Sequence, residues 1–209
     1  MNFKTFIIGL LVAFTVPWVA VIAVPSIKMA NLKAIEFDEE IDGRTGVYEF
    51  TRSGSTNGAP VYAANGCAAC HTQLVRPTSA GSDMYRELWA GVPADLANGI
   101  EDSQRETNAY DFAGEKIAQI GEQRVGPDLS NFAIRAEKQA GEQGITPRQF
   151  VLNHLFSPQE EEYKSVCSPL PFMFDGASTR PKSNAKSLAD YLLSMRKDSP
   201  IPSSVNPRR

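Results

Sequence analysis

This sequence has few cysteines, few histidines and a small net charge, and each of these features limits the chemistry that the protein can support. The 209 residues include only three cysteines and two histidines. Three thiols cannot build the disulfide framework that stabilises small secreted domains. The formal net charge of -3 is mild, whereas a dedicated nucleic-acid-binding protein would present a concentrated basic face. The sequence therefore predicts no nucleic-acid partner.

The few cysteines and histidines are concentrated in Cys67-Ala68-Ala69-Cys70-His71. Cys-x-x-Cys-His is the attachment signature of a c-type haem. In such a motif the two thiols form thioethers with the haem vinyl groups, and the imidazole binds iron as the proximal axial ligand. The i, i+3, i+4 spacing places both sulfurs and the ring on one side of a helical turn. The motif predicts one covalently bound haem c, with His71 as an iron ligand.

Two other interpretations of these cysteines remain open. Cys67 and Cys70 are also spaced as a redox dithiol or as half of a zinc site. A zinc site would need two further ligands, and Cys167 and His154 are the usual candidates elsewhere in the chain. The complete five-residue signature favours haem.

An uncharged apolar run extends from Thr5 to Val24. As a helix it would be roughly 30 Å long, which matches the hydrocarbon core of a bilayer. We predict a transmembrane anchor over residues 1–25, ending at Pro25. The alternative is a cleaved secretory signal ending near Val21-Ile22-Ala23, but the apolar core of such a signal is usually shorter.

The next segments are predicted from turn residues and periodicity. Residues 26–58 form a periplasmic connector, with a short strand at 47–51 and loop chemistry at 53–58. A monohaem domain over residues 59–197 follows, in which a helix starting near Pro60 runs through the motif and ends before Pro77.

Within this domain residues 78–123 are predicted to be an insertion. Apolar residues between Tyr85 and Ile100 have helical spacing that glycines and Pro93 interrupt. This segment is a candidate partner contact or haem lid, or simply a folded surface excursion. Residues 198–209 are predicted to be a C-terminal tail.

Two later helices are predicted from their apolar stripes. The first covers Thr146 to Phe156, with Thr146 as the N-cap and Pro147 at the first position. The second is Ser183–Arg196, which should pack against the helix before the haem motif. Its inner stripe is Leu188, Ala189, Tyr191, Leu192 and Met195.

The distal iron ligand is predicted to be Met173, in the proline-rich loop Cys167–Asp175. A thioether ligand raises the reduction potential of a haem. Of the five methionines, Met173 alone combines a rigid loop with a suitable position in the sequence. Met84 and His154 remain as alternatives.

Downstream, Gly126-Pro127-Asp128-Leu129 resembles a loop of c-type cytochromes. In that loop the proline carbonyl accepts a hydrogen bond from the second nitrogen of the proximal imidazole. The resemblance implies that Pro127 fixes the orientation of His71.

The run from Gly58 to Tyr62, and that from Gly66 to Pro77, resemble the monohaem subunit of cbb-type haem-copper oxidases, known as subunit II. The Gly126–Leu129 loop, His154-Leu155-Phe156-Ser157-Pro158 and the apolar N terminus are also similar to that family. Two positions depart from it, because Leu170 replaces the methionine before Pro171, and Gln159 replaces an arginine. Without that arginine, the resemblance leaves Arg76 and Arg124 as the candidates that balance the haem propionates.

The resemblance implies a mainly α fold, in which one N-terminal transmembrane helix precedes a class I-like cytochrome c domain with an inserted excursion. It also implies an electron-relay subunit of a respiratory terminal oxidase, anchored in the inner membrane with its haem domain in the periplasm. The expected partners are integral membrane subunits and other c-type cytochromes, as donor or acceptor. No set of residues suggests that the chain is a catalyst by itself.

Two alternative functions fit the same motif. One is an electron-transfer subunit of another bioenergetic complex, such as a quinol or substrate dehydrogenase. The other is a haem-based sensor or peroxidase-like enzyme, which requires an open or displaceable distal position.

Overall fold

The computed structural model describes residues 2–33, 52–112, 116–161, 164–176 and 180–196. The chain forms two compact units. One contains the N-terminal helix, and the other contains all the remaining helices and strands given below. The described part of the protein is mainly helical, as the sequence predicts. The predicted strand at 47–51 and the tail at 198–209 lie outside the described residues.

The N-terminal helix, α1, extends over Phe3–Ala30 and has a mean hydropathy of 2.6. The side chain of Asn2 caps it by accepting a hydrogen bond from the backbone N–H of Thr5, at 3.0 Å. Its 28 residues correspond to about 42 Å at the usual helical rise, and large apolar side chains such as Phe14 are exposed along it. This helix is long and apolar enough to cross a membrane.

The N-terminal helix continues past Pro25, where the sequence predicts its end. The chain passes through a π-helical turn at Val19–Ala23 and continues as α-helix to Ala30. Proline cannot donate a backbone hydrogen bond to the preceding turn, and helices in membranes accommodate it by local π adjustments. The π-helical turn therefore lets the helix continue through Pro25.

The first described element of the second unit is α2, Arg52–Ala64. This helix corrects two predictions, because residues 53–58 are helical rather than a loop and Pro60 lies inside the helix rather than in its first turn. Helices in proteins depend more on tertiary packing than on residue propensity. Here Gly58 is buried against the last described helix, Ser183–Leu193.

Among the described residues after the Cys67–His71 motif there are four more α-helices and one strand pair. They are α3 at Phe132–Gln143, α4 at Pro147–Phe156, α5 at Pro158–Glu161, β1 at Phe174–Asp175, β2 at Arg180–Pro181 and α6 at Ser183–Leu193. The two strands are antiparallel, with Phe174 opposite Pro181. The prediction of α4 is confirmed, including the Thr146 cap. Helix α3 was not predicted, although Ala133, Ala136 and Ala140 form a buried stripe on it.

The predicted contact between the last helix and the helix before the motif is confirmed. The α carbon of Gly58 faces the backbone of Ser187 so closely that an added Cβ atom would overlap its carbonyl oxygen. The rings of Tyr62 and Tyr191 are 5.4 Å apart between centroids. All five residues of the predicted inner stripe are buried. The pair α2–α6 therefore forms the centre of the core.

The apolar spacing between Tyr85 and Ile100 does not produce an α-helix. In the described residues of the insertion, 78–112 and 116–123, the helical elements are short 3₁₀ turns at Asp83–Tyr85, Leu96–Asn98 and Ala109–Phe112. Tyr85 and Leu96 are 80% and 84% exposed, so the apolar spacing does not mark a buried face. Glycine and proline disfavour a helix in this segment. Buried polar contacts stabilise it instead, including the Arg105–Asp111 ion pair at 2.9 Å.

We expect substitution of Gly58 by alanine to destabilise the second unit. Its Cβ atom would meet the Ser187 carbonyl and Tyr191, and overpacking of this kind costs about 1–3 kcal/mol. Gly141→Ala in α3 is the matched control, because no atom lies within 4 Å of the added Cβ and helix propensity improves by up to about 1 kcal/mol. Denaturant unfolding of the full chain in detergent measures both. Equal stability of the two variants would contradict the close packing of α2 on α6.

Candidate haem-attachment site

The haem motif forms a tight turn directly after α2. Gly66 adopts a left-handed conformation, with φ of 68°, and ends the helix. A 3₁₀ turn follows at Cys67–Ala69, and the backbone N–H groups of Cys70 and His71 both donate to the Cys67 carbonyl, at 3.1 and 3.0 Å. The prediction that the helix runs through the motif is therefore wrong, although the motif does form a helical turn of its own.

The thiols of the motif differ in their surroundings. Cys67 is half-buried and packs against the hydrophobic core, whereas Cys70 is exposed. The pKa of the Cys67 thiol is raised to about 11, mainly by burial and to a smaller extent by the nearby Cys167 and Cys70. Burial, with a smaller effect of Cys70, also raises the pKa of Cys167. The third cysteine therefore lies close enough to the motif to interact with it electrostatically.

The imidazole of His71 has a defined orientation. Its Nδ1 atom lies 2.8 Å from the carbonyl oxygen of Pro127. A carbonyl can only accept, so Nδ1 must carry the proton and donate it. The ring also rests on Gly126, since a Cβ there would come within 2.8 Å of both ring nitrogens. In the neutral imidazole the Nε2 atom then carries the lone pair that a metal ligand requires.

Backbone hydrogen bonds pair the segment after the motif with the segment that contains Pro127. The N–H of Gly126 donates to the Cys70 carbonyl at 2.9 Å, and that of Leu129 donates to the Thr72 carbonyl at 2.7 Å. These two bonds flank the contact between His71 and Pro127. Residues 56 positions apart in sequence are thus held side by side.

The structure places Arg76 and Arg124, the predicted propionate partners, around a buried carboxylate. Asp83 is fully buried and accepts hydrogen bonds from Arg76 Nη2 at 2.9 Å and from Arg124 Nη1 at 2.6 Å. Burial alone would raise the pKa of Asp83, but the hydrogen bonds from both arginines outweigh it and hold the pKa well below its usual range. Much of the positive charge of the two arginines is therefore already balanced within the protein.

Sequence reasoning missed Asp83 and the aromatic ring beside it. The guanidinium carbons of Arg86, Arg124 and Arg135 lie 4.3, 5.8 and 5.7 Å from the centre of the Trp89 ring, within the range of cation–π attraction. Asp83 and Arg124 are 41 positions apart. The contacts that Arg124 and Arg135 make with Asp83 and Trp89 depend on the fold, so local spacing could not have signalled them.

The three candidate distal ligands lie in different environments. Met173 ends a 3₁₀ turn, is 3% exposed and belongs to the hydrophobic core against which Cys67 packs. Met84 is half-buried in the turn that contains Asp83, and His154 is half-buried on α4. The assignment of Met173 stays a prediction.

The donor set fits a haem better than a bare metal ion. In the described part of the chain no group of three or more His, Cys, Asp or Glu side chains could hold a metal ion. A c-type haem carries its own four equatorial nitrogens, so two thiols and one imidazole on a single turn suffice on the proximal side. Cys67, Cys70 and His71 provide that set.

Comparison with protein-family models finds no match, and comparison with curated proteins finds no similar sequence. The assignment of the site therefore depends on the motif and the geometry around His71.

Proposed function

We propose that the chain is a membrane-anchored monohaem c-type cytochrome that relays single electrons within a respiratory terminal oxidase complex. The observation that carries this proposal is the pairing of a Cys-x-x-Cys-His turn with a proline carbonyl on the Nδ1 side of its histidine. A chance pair of cysteines does not require a neighbouring imidazole with a fixed orientation. An iron ligand does require one, because its second ring nitrogen must be held by a hydrogen bond.

Each residue of the turn has a distinct part in holding the haem. Cys67 and Cys70 would form the two thioether bonds, and Nε2 of His71 would bind the iron. The bound group supplies one-electron chemistry, by cycling between ferric and ferrous iron. A class I-like cytochrome c domain is supported by the packing of α2, which precedes the motif, against the last helix α6.

The Pro127 carbonyl tunes the ligand that it orients. By accepting a hydrogen bond from Nδ1–H it would make the imidazole a stronger donor to a bound iron, which would favour the ferric state and lower the reduction potential. A methionine on the distal side would act in the opposite direction. In this proposal the working potential reflects the balance between the two axial ligands.

The location follows from the anchor and the haem together. Helix α1 would hold the protein in the inner membrane by one span, with the haem domain in the periplasm, where bacterial c-type haems are attached. The partners would be integral membrane subunits of the oxidase and c-type cytochromes that deliver or accept the electron. The acceptor subunit, rather than this chain, would perform the chemistry on oxygen.

We expect the mature full chain to carry one haem that denaturation does not release. Replacing Cys67 and Cys70 together by alanine removes both thioether bonds, so no covalent haem should remain. Cys167→Ala is the matched control, because it removes the third cysteine and should leave haem content unchanged. Intact-protein mass spectrometry with haem staining measures all three proteins. A parent chain without haem, or a double variant that retains it, would overturn the proposal.

We expect ferric protein to show a methionine–iron charge-transfer band in the far red. Met173→Leu preserves the side-chain volume but removes the sulfur, so the band should disappear. Met195→Leu is the control, because this methionine is equally a core residue, at 5% exposure. Loss of the band in Met84→Leu instead would refute the Met173 assignment. High-spin iron that readily binds carbon monoxide in the parent would favour a sensor or peroxidase-like enzyme.

A further inference from the structure

Pro127 is exposed, so its contact with His71 needs support from elsewhere. We propose that Asp128 and Thr72 are positioning residues that clamp the Pro127 carbonyl against Nδ1 of His71. The clamp is a property of the chain itself, whereas its effect on reduction potential rests on the proposed function. The two residues are the immediate neighbours of the pair that they would hold.

Asp128 is the fixed side of the clamp. It is fully buried, and its Oδ2 atom accepts hydrogen bonds from the Thr72 hydroxyl at 2.6 Å and from the Leu74 N–H at 2.8 Å. Its Oδ1 atom accepts from the N–H of Ser130 at 2.9 Å. One carboxylate thus joins the segment after the haem motif to the loop that contains Pro127.

Thr72 uses both hydrogen-bonding capacities of its hydroxyl group. The hydroxyl donates to Asp128 and accepts from Nε of Arg124, at 2.8 Å. Thr72 is also 7% exposed, so water cannot easily replace either partner. Because Thr72 follows His71 as Asp128 follows Pro127, the two side-chain contacts form adjacent links between the same two segments.

The charge of the buried carboxylate is balanced locally. Arg124 Nη2 lies 3.6 Å from Oδ2 of Asp128, and the Arg135 guanidinium donates to the Asp128 carbonyl. Burial lowers the pKa of Arg135 to about 10, against the opposing effect of Asp128, so this arginine remains charged at neutral pH. Removing the Thr72 hydroxyl therefore alters the clamp without changing any formal charge.

The contact between His71 and Pro127 should weaken when the clamp is broken. Thr72→Val has nearly the same shape but no hydroxyl, which leaves Oδ2 of Asp128 with one donor fewer and Arg124 Nε without that acceptor. The loop from Gly126 to Leu129 can then move relative to the imidazole. The Nδ1 proton of His71 becomes more exposed to solvent, and the haem potential rises because the ligand is a weaker donor.

The test compares Thr72→Val with Thr72→Ser, which keeps the hydroxyl, in the full chain reduced in detergent. NMR of ¹⁵N-histidine-labelled protein follows exchange of the His71 Nδ1 proton, and only two histidines need assignment. We expect exchange roughly fivefold to tenfold faster in Thr72→Val, the scale of one hydrogen bond, and near the parent rate in Thr72→Ser. Asp128→Asn should change exchange in the same direction as Thr72→Val.

Potentiometric titration of the haem-loaded proteins gives the second measurement. The potential should rise in Thr72→Val and remain at the parent value in Thr72→Ser. Parent-like Nδ1 exchange in both Thr72→Val and Asp128→Asn would overturn the clamp. If the parent carries no haem, the proposed function fails, while proton exchange still decides whether the clamp exists.

Discussion

The hydrogen bond from His71 to the Pro127 carbonyl is the interaction around which the site is built. An imidazole has two nitrogens that exchange roles, and an axial ligand must present the same one to the metal at all times. The carbonyl acceptor fixes Nδ1 as the nitrogen that carries the proton, which leaves Nε2 for the metal. The absent side chain of Gly126 leaves room for the ring, and backbone hydrogen bonds hold residues 70–72 beside residues 126–129.

Local features of the site could be predicted from the sequence, whereas most of its supporting contacts could not. The five-residue motif is recognisable from the spacing of its residues alone. Helices α4 and α6 are predicted by apolar stripes, and these stripes are buried in the structure. The Pro127 contact was foreseen only by resemblance to a known loop. The sequence did not predict the polar network formed by Asp83, Thr72 and Asp128, because their partners come together only in the folded chain.

Two errors have a common physical cause. Residues 53–58 look like a loop because they are rich in glycine and serine, and Tyr85 to Ile100 look like a helix because apolar residues recur there. In the first case packing against α6 at Gly58 outweighs propensity. In the second the chain follows buried polar anchors such as Asp83, and its apolar side chains remain exposed. Local patterns fail where tertiary contacts decide the backbone path.

An electron relay needs little from its protein beyond a held cofactor and a fixed location. In the proposed function the turn after α2 would hold the cofactor, and the apolar helix α1 would fix the location of the protein. The most direct test is to mix the fully reduced, intact membrane complex with oxygen and follow the absorbance of the c-type haem. The relay account predicts that this haem is oxidised within a single turnover of a copurifying haem-copper subunit. A c-type haem that stays reduced through that turnover would contradict it, as would a complex without a haem-copper subunit.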